Sequence, residues 1–146
     1  ALQRIARANA LFVSRGDDSG THQKERALWQ DAKVDAVAAS GTWYLETGSG
    51  MGATLNIAAG RSAYALTDRA TWMSFQNKQS FEILVAGDPK LFNQYGVILV
   101  DPERHPHVKA ALGQAFIDWL LSSAGQNAIA AFKVGGEQLF YPNATR

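Results

Sequence analysis

LFVSRGDDSGTH, residues 11–22, is the stretch on which the reading of the fold turns. Leu11, Phe12 and Val13 form a short apolar run of the kind buried inside a sheet. Residues 14–19 are polar and include Gly16, so the chain turns there. Gly20 then opens a helix, which the spacing of Ala27, Leu28, Val34 and Val37 predicts to run over 20–39. Ser40-Gly41 ends it.

The same passage from strand through small polar residues into helix recurs downstream. Residues 42–46 read as extended, 48–52 (GSGMG) as a glycine-rich turn, and 51–59 as a helix stopped at Gly60. Residues 62–66 read as a strand, and 67–71 (TDRAT) open a helical turn. Further strands are predicted at 81–85, closed by Gly87-Asp88-Pro89, and at 95–100, closed by Asp101-Pro102. Upstream, residues 1–9 form a short amphipathic helix with Leu2, Ile5 and Ala6 on one side. Near the end come a helix over 108–121, a second over 125–132 and an extended tail at 139–142. On the first of these helices, Ala111, Leu112, Ala115, Phe116, Trp119 and Leu120 mark the expected core face. Alternating strands and helices predict an α/β layered domain, a mostly parallel mixed sheet flanked by helices. The 146 residues fit one domain.

Composition narrows the function classes. Apolar residues make up 47% of the chain, enough for a core, and charged residues 18%, which argues against disorder. The 14 basic and 13 acidic residues leave a net charge of +1, and the basic ones form no run. A nucleic-acid binder would carry a basic excess on one face, so no nucleic-acid partner is expected. With no cysteine there is neither a disulfide framework nor a thiolate zinc site. No apolar run is long enough to span a membrane as a helix.

The chemistry-bearing residues cluster at three helix starts: 15–21, 48–54 and 67–71. A helix start leaves amide N–H groups unpaired and carries the positive end of the helix dipole, so it attracts anions. Taken singly, each start reads better as an ordinary cap, and it is three in one small domain that point toward an anion site. Arg15 adds a permanent charge whose planar fork suits oxyanions. Asp17 and Asp18 would repel an anion; one is expected to cap the helix and the other to hold Arg15 or the loop. A nucleotide reading of 48–52 fails, because no Lys-Ser or Lys-Thr follows the glycines.

Two other chemistries are weaker. Asp18, Ser19 and His22 are close in sequence, but nothing there has the strained nucleophile turn of a hydrolase. No catalytic residue is assigned, and His22 is expected at the surface or in a cap. His105 and His107, with His22 as the remaining histidine, are too few for a metal site. No metal or cofactor is expected. Trp29, Trp43, Trp72 and Phe75 read as packing residues.

FVSRGDDSGTH with KE and LW following, GSGMGATL, YALTDRATW, YGVILVDP, AFIDWLLSSAGQNAIAAF and LFYP stand in an order that resembles the tungstate-binding protein family of ABC importers. The resemblance implies one lobe of a type II periplasmic-binding-protein fold, which grips tungstate or molybdate for delivery to a membrane permease. By it Arg15 is the charged ligand, Ser19, Gly20 and Thr21 offer hydroxyl and amide donors, and Gly50 and Met51 line the second start. Thr67 and Asp68 border the site, with Asp17 and Asp18 behind the ligands. It also implies a periplasmic or extracellular location, lipid-anchored or soluble. The family's opening Thr/Ser-rich motif is missing from these residues. The likeness therefore covers the second lobe and the returning C-terminal segment, with the N-terminal lobe absent. An isolated lobe is expected to bind weakly or not at all and to be capable of homodimerising through uncovered apolar surface. A sensory or regulatory module reusing the fold is the alternative.

Overall fold

The computed structural model describes residues 1–144. It divides into two compact units, residues 1–92 and the described residues from 93 on. In the first, β1 (Phe12–Ser14) is buried at all three positions. It pairs in parallel with β2 (Tyr44–Glu46), Phe12 opposite Tyr44 and Ser14 opposite Glu46. On its other side a single parallel bridge joins Phe12 to Tyr64. Successive side chains of a strand point to opposite faces. Phe12 accordingly packs with Trp29, Ala36 and Tyr44, while Val13 packs with Ala58 and Ala63. Trp29 belongs to α2 (Gly20–Asp31) and Ala58 to α3 (Met51–Gly60), so helices cover both faces of β1.

The first face is largely aromatic. Phe12 meets Trp29 edge-on with ring centroids 5.1 Å apart, and Trp43 lies 5.7 Å from Trp29. Leu2, Ile5 and Ala6, from α1 (Leu2–Arg7), close this cluster from outside. On the second face Met51, Leu55, Ala59 and Phe75 form a further cluster with Trp72 against it. Trp29, Trp43, Trp72 and Phe75 are packing residues, as the sequence suggests.

The helix predicted over 20–39 is shorter. α2 stops at Asp31, and a separate 3-10 turn spans Val37–Ala39. Lys33 sits at φ +59°, its amide on the Gln30 carbonyl (2.9 Å) and the Val34 amide on the Trp29 carbonyl (3.1 Å). That is a left-handed helix stop of the Schellman kind, usually made by glycine. α4 (Arg69–Ser74) completes the helices of this unit.

The strands predicted at 62–66, 81–85 and 95–100 are corrected by the structure. The first is reduced to the Tyr64 bridge. The other two form no ladder among the described residues, and Ile83, Leu84, Val85 and Ile98 are exposed. An apolar run becomes a strand only where a neighbouring edge accepts its N–H and C=O groups.

The second unit holds α5 (Ala110–Leu121), α6 (Ser123–Ala131) and a hairpin, β3 (Lys133–Val134) with β4 (Glu137–Gln138). Gly135 and Gly136 make the hairpin turn at φ +59° and +85°, both left-handed as a type I′ turn requires. The core face expected on α5 is not covered, since no residue of that helix is buried. Amphipathic spacing identifies the face a helix can bury, not the surface that buries it.

Candidate functional site

Parallel neighbours end at the same edge of a sheet, so the loops leaving β1 and β2 emerge side by side. Main-chain bonds join them. The Thr47 amide donates to the Ser14 carbonyl (3.0 Å), and the Ser49 amide to the Arg15 carbonyl (3.3 Å). The Thr47 hydroxyl also donates to the Arg15 carbonyl (3.2 Å). Thr47 is braced in turn by the buried Thr54 hydroxyl at 2.9 Å. Gly16 makes the approach possible: a β-carbon on it would sit 2.7 Å from that of Glu46, and its φ is +61°.

The first loop closes on Asp17. Its Oδ2 accepts from Arg15 Nη2 (2.5 Å) and Nε (3.2 Å), a forked ion pair. Its Oδ1 accepts from the Ser19 hydroxyl (2.7 Å) and the Ser19 amide (3.2 Å). Asp17 thus takes the holding task, gripping both Arg15 and the loop, while the expectation that an aspartate caps the helix is corrected. Its carboxyl is held at about 2, the Ser19 hydroxyl contributing most and the Arg15 guanidinium next among the lowering interactions. The helix cap itself is Ser19, whose Oγ accepts from the His22 amide.

Among the described residues, the amides of Gly20 and Thr21 have no hydrogen-bond partner, nor do those of Gly50, Met51 and Gly52. These are the unpaired donors of two adjacent helix starts. Gly20 and Gly50 are exposed, Thr21 is half-buried, and the Met51 side chain is turned into the core. Met51 can therefore offer only its amide. The Ser19 hydroxyl proton is committed to Asp17. At the third start the Asp68 carboxylate accepts from the Thr71 amide (2.8 Å) and hydroxyl (2.7 Å), while the Thr67 hydroxyl donates to the Asp68 carbonyl (3.2 Å). Asp68 is engaged in capping α4, and the Thr67 hydroxyl in a bond to the neighbouring main chain.

His22 is not a surface residue: it is 6% exposed. The surface alternative fails because a histidine at the third residue of a helix has no sequence mark of burial, while the capping alternative fits the bond its ring accepts from the main chain ahead of the helix. Its imidazole does not bond Ser19 Oγ; Nδ1 accepts from the Asp18 amide (3.0 Å) and Nε2 is buried without a partner. One turn further on, buried Glu25 accepts from Trp29 Nε1 (3.2 Å) and the Tyr44 hydroxyl (2.8 Å). Burial raises its carboxyl above the ordinary value, opposed by bonds from Tyr44, Ser14 and Trp29. Sequence reasoning missed this cluster; an acidic residue on the same helical face as Trp29, four positions away, was the available signal. The His105 and His107 rings lie 6.1 Å apart, and no group of three metal-ligating side chains forms among the described residues.

A small parallel sheet between helices, with two donor-lined helix starts at one edge, is the α/β arrangement of a periplasmic-binding-protein-like domain. The chain belongs to the PBP superfamily, whose domain model matches residues 1–124. It is 40% identical to the tungstate-binding protein TupA of Peptoclostridium acidaminophilum, across 100% of this chain and 51% of that one. Among solved structures it resembles the tungstate-binding protein TupA of Desulfovibrio alaskensis G20, at 43% identity and TM-score 0.74, covering 99% of this chain and 59% of that one. It also resembles the tungstate ABC transporter structure from Geobacter sulfurreducens, at 42% identity and TM-score 0.76, covering 90% and 54%. The chain spans about half the length of the curated relatives it matches. No helix of the described residues is long and apolar enough to cross a membrane.

Proposed function

We propose that this chain forms the oxyanion-gripping lobe of a solute-binding protein that serves an ABC permease outside the cytoplasm. Its ligand is tungstate or molybdate, and it binds without catalysis. The observation that carries this is the pair of helix starts joined through Arg15, whose unpaired amides share one edge of the sheet. Tungstate and molybdate are tetrahedral dianions without protons at neutral pH, so a site for them needs donors and no free acceptors. Arg15, Gly20 and Thr21 supply such donors from the first start, and the Gly50 and Met51 amides from the second. Ser19, Asp17 and Asp18 form the frame that shapes the first start, while Thr67 and Asp68 border it as a cap. The tungstate-binding names of the relatives support the choice of ligand.

A single lobe offers part of a ligand shell, so binding by this chain is expected to be weak and is best read by amide NMR titration. Tungstate should shift the amides of Gly20, Thr21, Gly50 and Met51 together with Arg15 Nε, and hydrogen phosphate, which carries a proton, should do so less. Arg15 spends Nε and one Nη2 hydrogen on Asp17, which leaves Nη1 and the second Nη2 hydrogen for the anion; a charge-assisted bond contributes about 1.5–3 kcal/mol, so Arg15→Ala should weaken binding roughly 10- to 100-fold. Shifts scattered elsewhere, or unchanged in Arg15→Ala, would remove this site.

A further inference from the structure

We propose that His22 is a positioning residue for the oxyanion loop, and that it works as a neutral imidazole carrying its proton on Nε2. The inference rests on the loop being the oxyanion grip. Asp18 sits at φ +57°, a left-handed conformation uncommon outside glycine although aspartate adopts it more readily than most residues. In that conformation the Asp18 amide donates to His22 Nδ1 at 3.0 Å, and this bond is the contact that favours it. The side chain doing the holding is itself immobilised, being 6% exposed on the first turn of α2.

The bond dictates the tautomer. An imidazole nitrogen accepts a hydrogen bond only through a free lone pair, and a neutral imidazole has one such nitrogen. With Nδ1 accepting, the proton belongs on Nε2, the one buried side-chain polar atom without a partner among the described residues. Leaving a buried N–H unpaired is costly. The acceptor role at Nδ1 is what this arrangement gains.

The consequence for the anion runs through the main chain. Asp18 lies between Asp17, on which Arg15 and Ser19 converge, and Ser19, which caps α2. If Asp18 relaxed to negative φ, the peptide planes on either side would rotate. Asp17 would lose either Arg15 or Ser19, and the Gly20 and Thr21 amides would lose their shared direction.

The test compares His22→Phe, which keeps a ring and removes the acceptor, with His22→Asn, whose Oδ1 lies about where Nδ1 lies. In the 146-residue chain, His22→Phe should speed hydrogen exchange at the Asp18 amide about tenfold and weaken tungstate binding about tenfold. His22→Asn should restore both, while the Val13 and Trp29 signals stay in place in each variant. In the unsubstituted chain, ¹⁵N spectra of the ring should show the Nε2–H tautomer at neutral pH. An Nδ1–H tautomer, or a His22→Phe chain with the parent's Asp18 exchange and tungstate response, overturns the proposal. If His22→Phe does not fold, the tautomer and the His22→Asn comparison still decide. If the parent chain shows no tungstate shift, the oxyanion reading falls, while the tautomer and Asp18 exchange still judge His22 separately.

Discussion

Asp17 receives bonds from both sides, Arg15 on one oxygen and Ser19 on the other. All of these favour the ionised carboxylate, which is why its carboxyl lies at about 2 instead of the ordinary 3.8. The sign follows from linkage. A carboxyl whose folded value is depressed contributes stability that is fully present above the ordinary value and is lost as pH falls toward the folded one. A ¹³C NMR titration should therefore find Asp17 ionised well below pH 3.8, with a midpoint at about 2. Arg15 and Ser19 signals should move with the same midpoint, because their partner is the group titrating. In Ser19→Ala the midpoint should rise, since the largest lowering interaction is gone; a midpoint unchanged there would show that Ser19 does not set it.

Helix starts were more legible than helix stops, and the reason is chemical. The starts of α2, α4 and α6 carry Ser19, Asp68 and Ser122 as caps, each accepting an amide from the first turn. Two of these, with Arg15 and the glycines beside them, were marked by the sequence as donor clusters. The stops of α1, α2 and α3 are followed by left-handed residues, Asn9, Lys33 and Ser62, whereas α4 ends on the extended Phe75. At Ser62 the Ala63 amide returns to the Ala58 carbonyl (2.9 Å), just as Val34 does to Trp29 across Lys33. Nothing in the letters Lys and Ser announces such a stop, so α2 was read too long. His22 and Glu25 were illegible for a related reason: polar residues do not advertise burial, and here it depends on Tyr44, 19 positions from Glu25. The same geometry gives a prediction. Glycine takes a positive φ without side-chain strain, so Lys33→Gly should stabilise the chain by about 0.5–1 kcal/mol. Urea unfolding would measure this, and destabilisation would mean that Lys33 is not strained or that its side chain has a compensating role.

At the scale of the molecule, the two units differ in what they bury. The first encloses its aromatic and aliphatic clusters on both faces of β1. In the second, α5 presents Leu112 (67% exposed), Phe116 (57%) and Trp119 (46%), spaced four and three residues apart along one stripe. Phe116 and Trp119 stack with centroids 6.0 Å apart, so the stripe is a formed surface and not scattered residues. Ile98, on a segment that forms no ladder among the described residues, is 89% exposed in the same unit. Contiguous apolar surface of this kind drives association, because covering it releases water. A solution of this chain alone holds no partner but another copy, so the chain should associate with itself as concentration rises. Sedimentation velocity would follow the weight-average mass across a dilution series. Leu112→Glu combined with Phe116→Glu places two like charges one turn apart in the stripe, and this variant should remain monomeric at concentrations where the parent associates. Because those positions are exposed, the substitutions remove no core contact, and thermal unfolding of the first unit should be unchanged. A parent chain that stays monomeric throughout would show that the stripe is tolerated in water, and association persisting unchanged in the double variant would place the contact elsewhere.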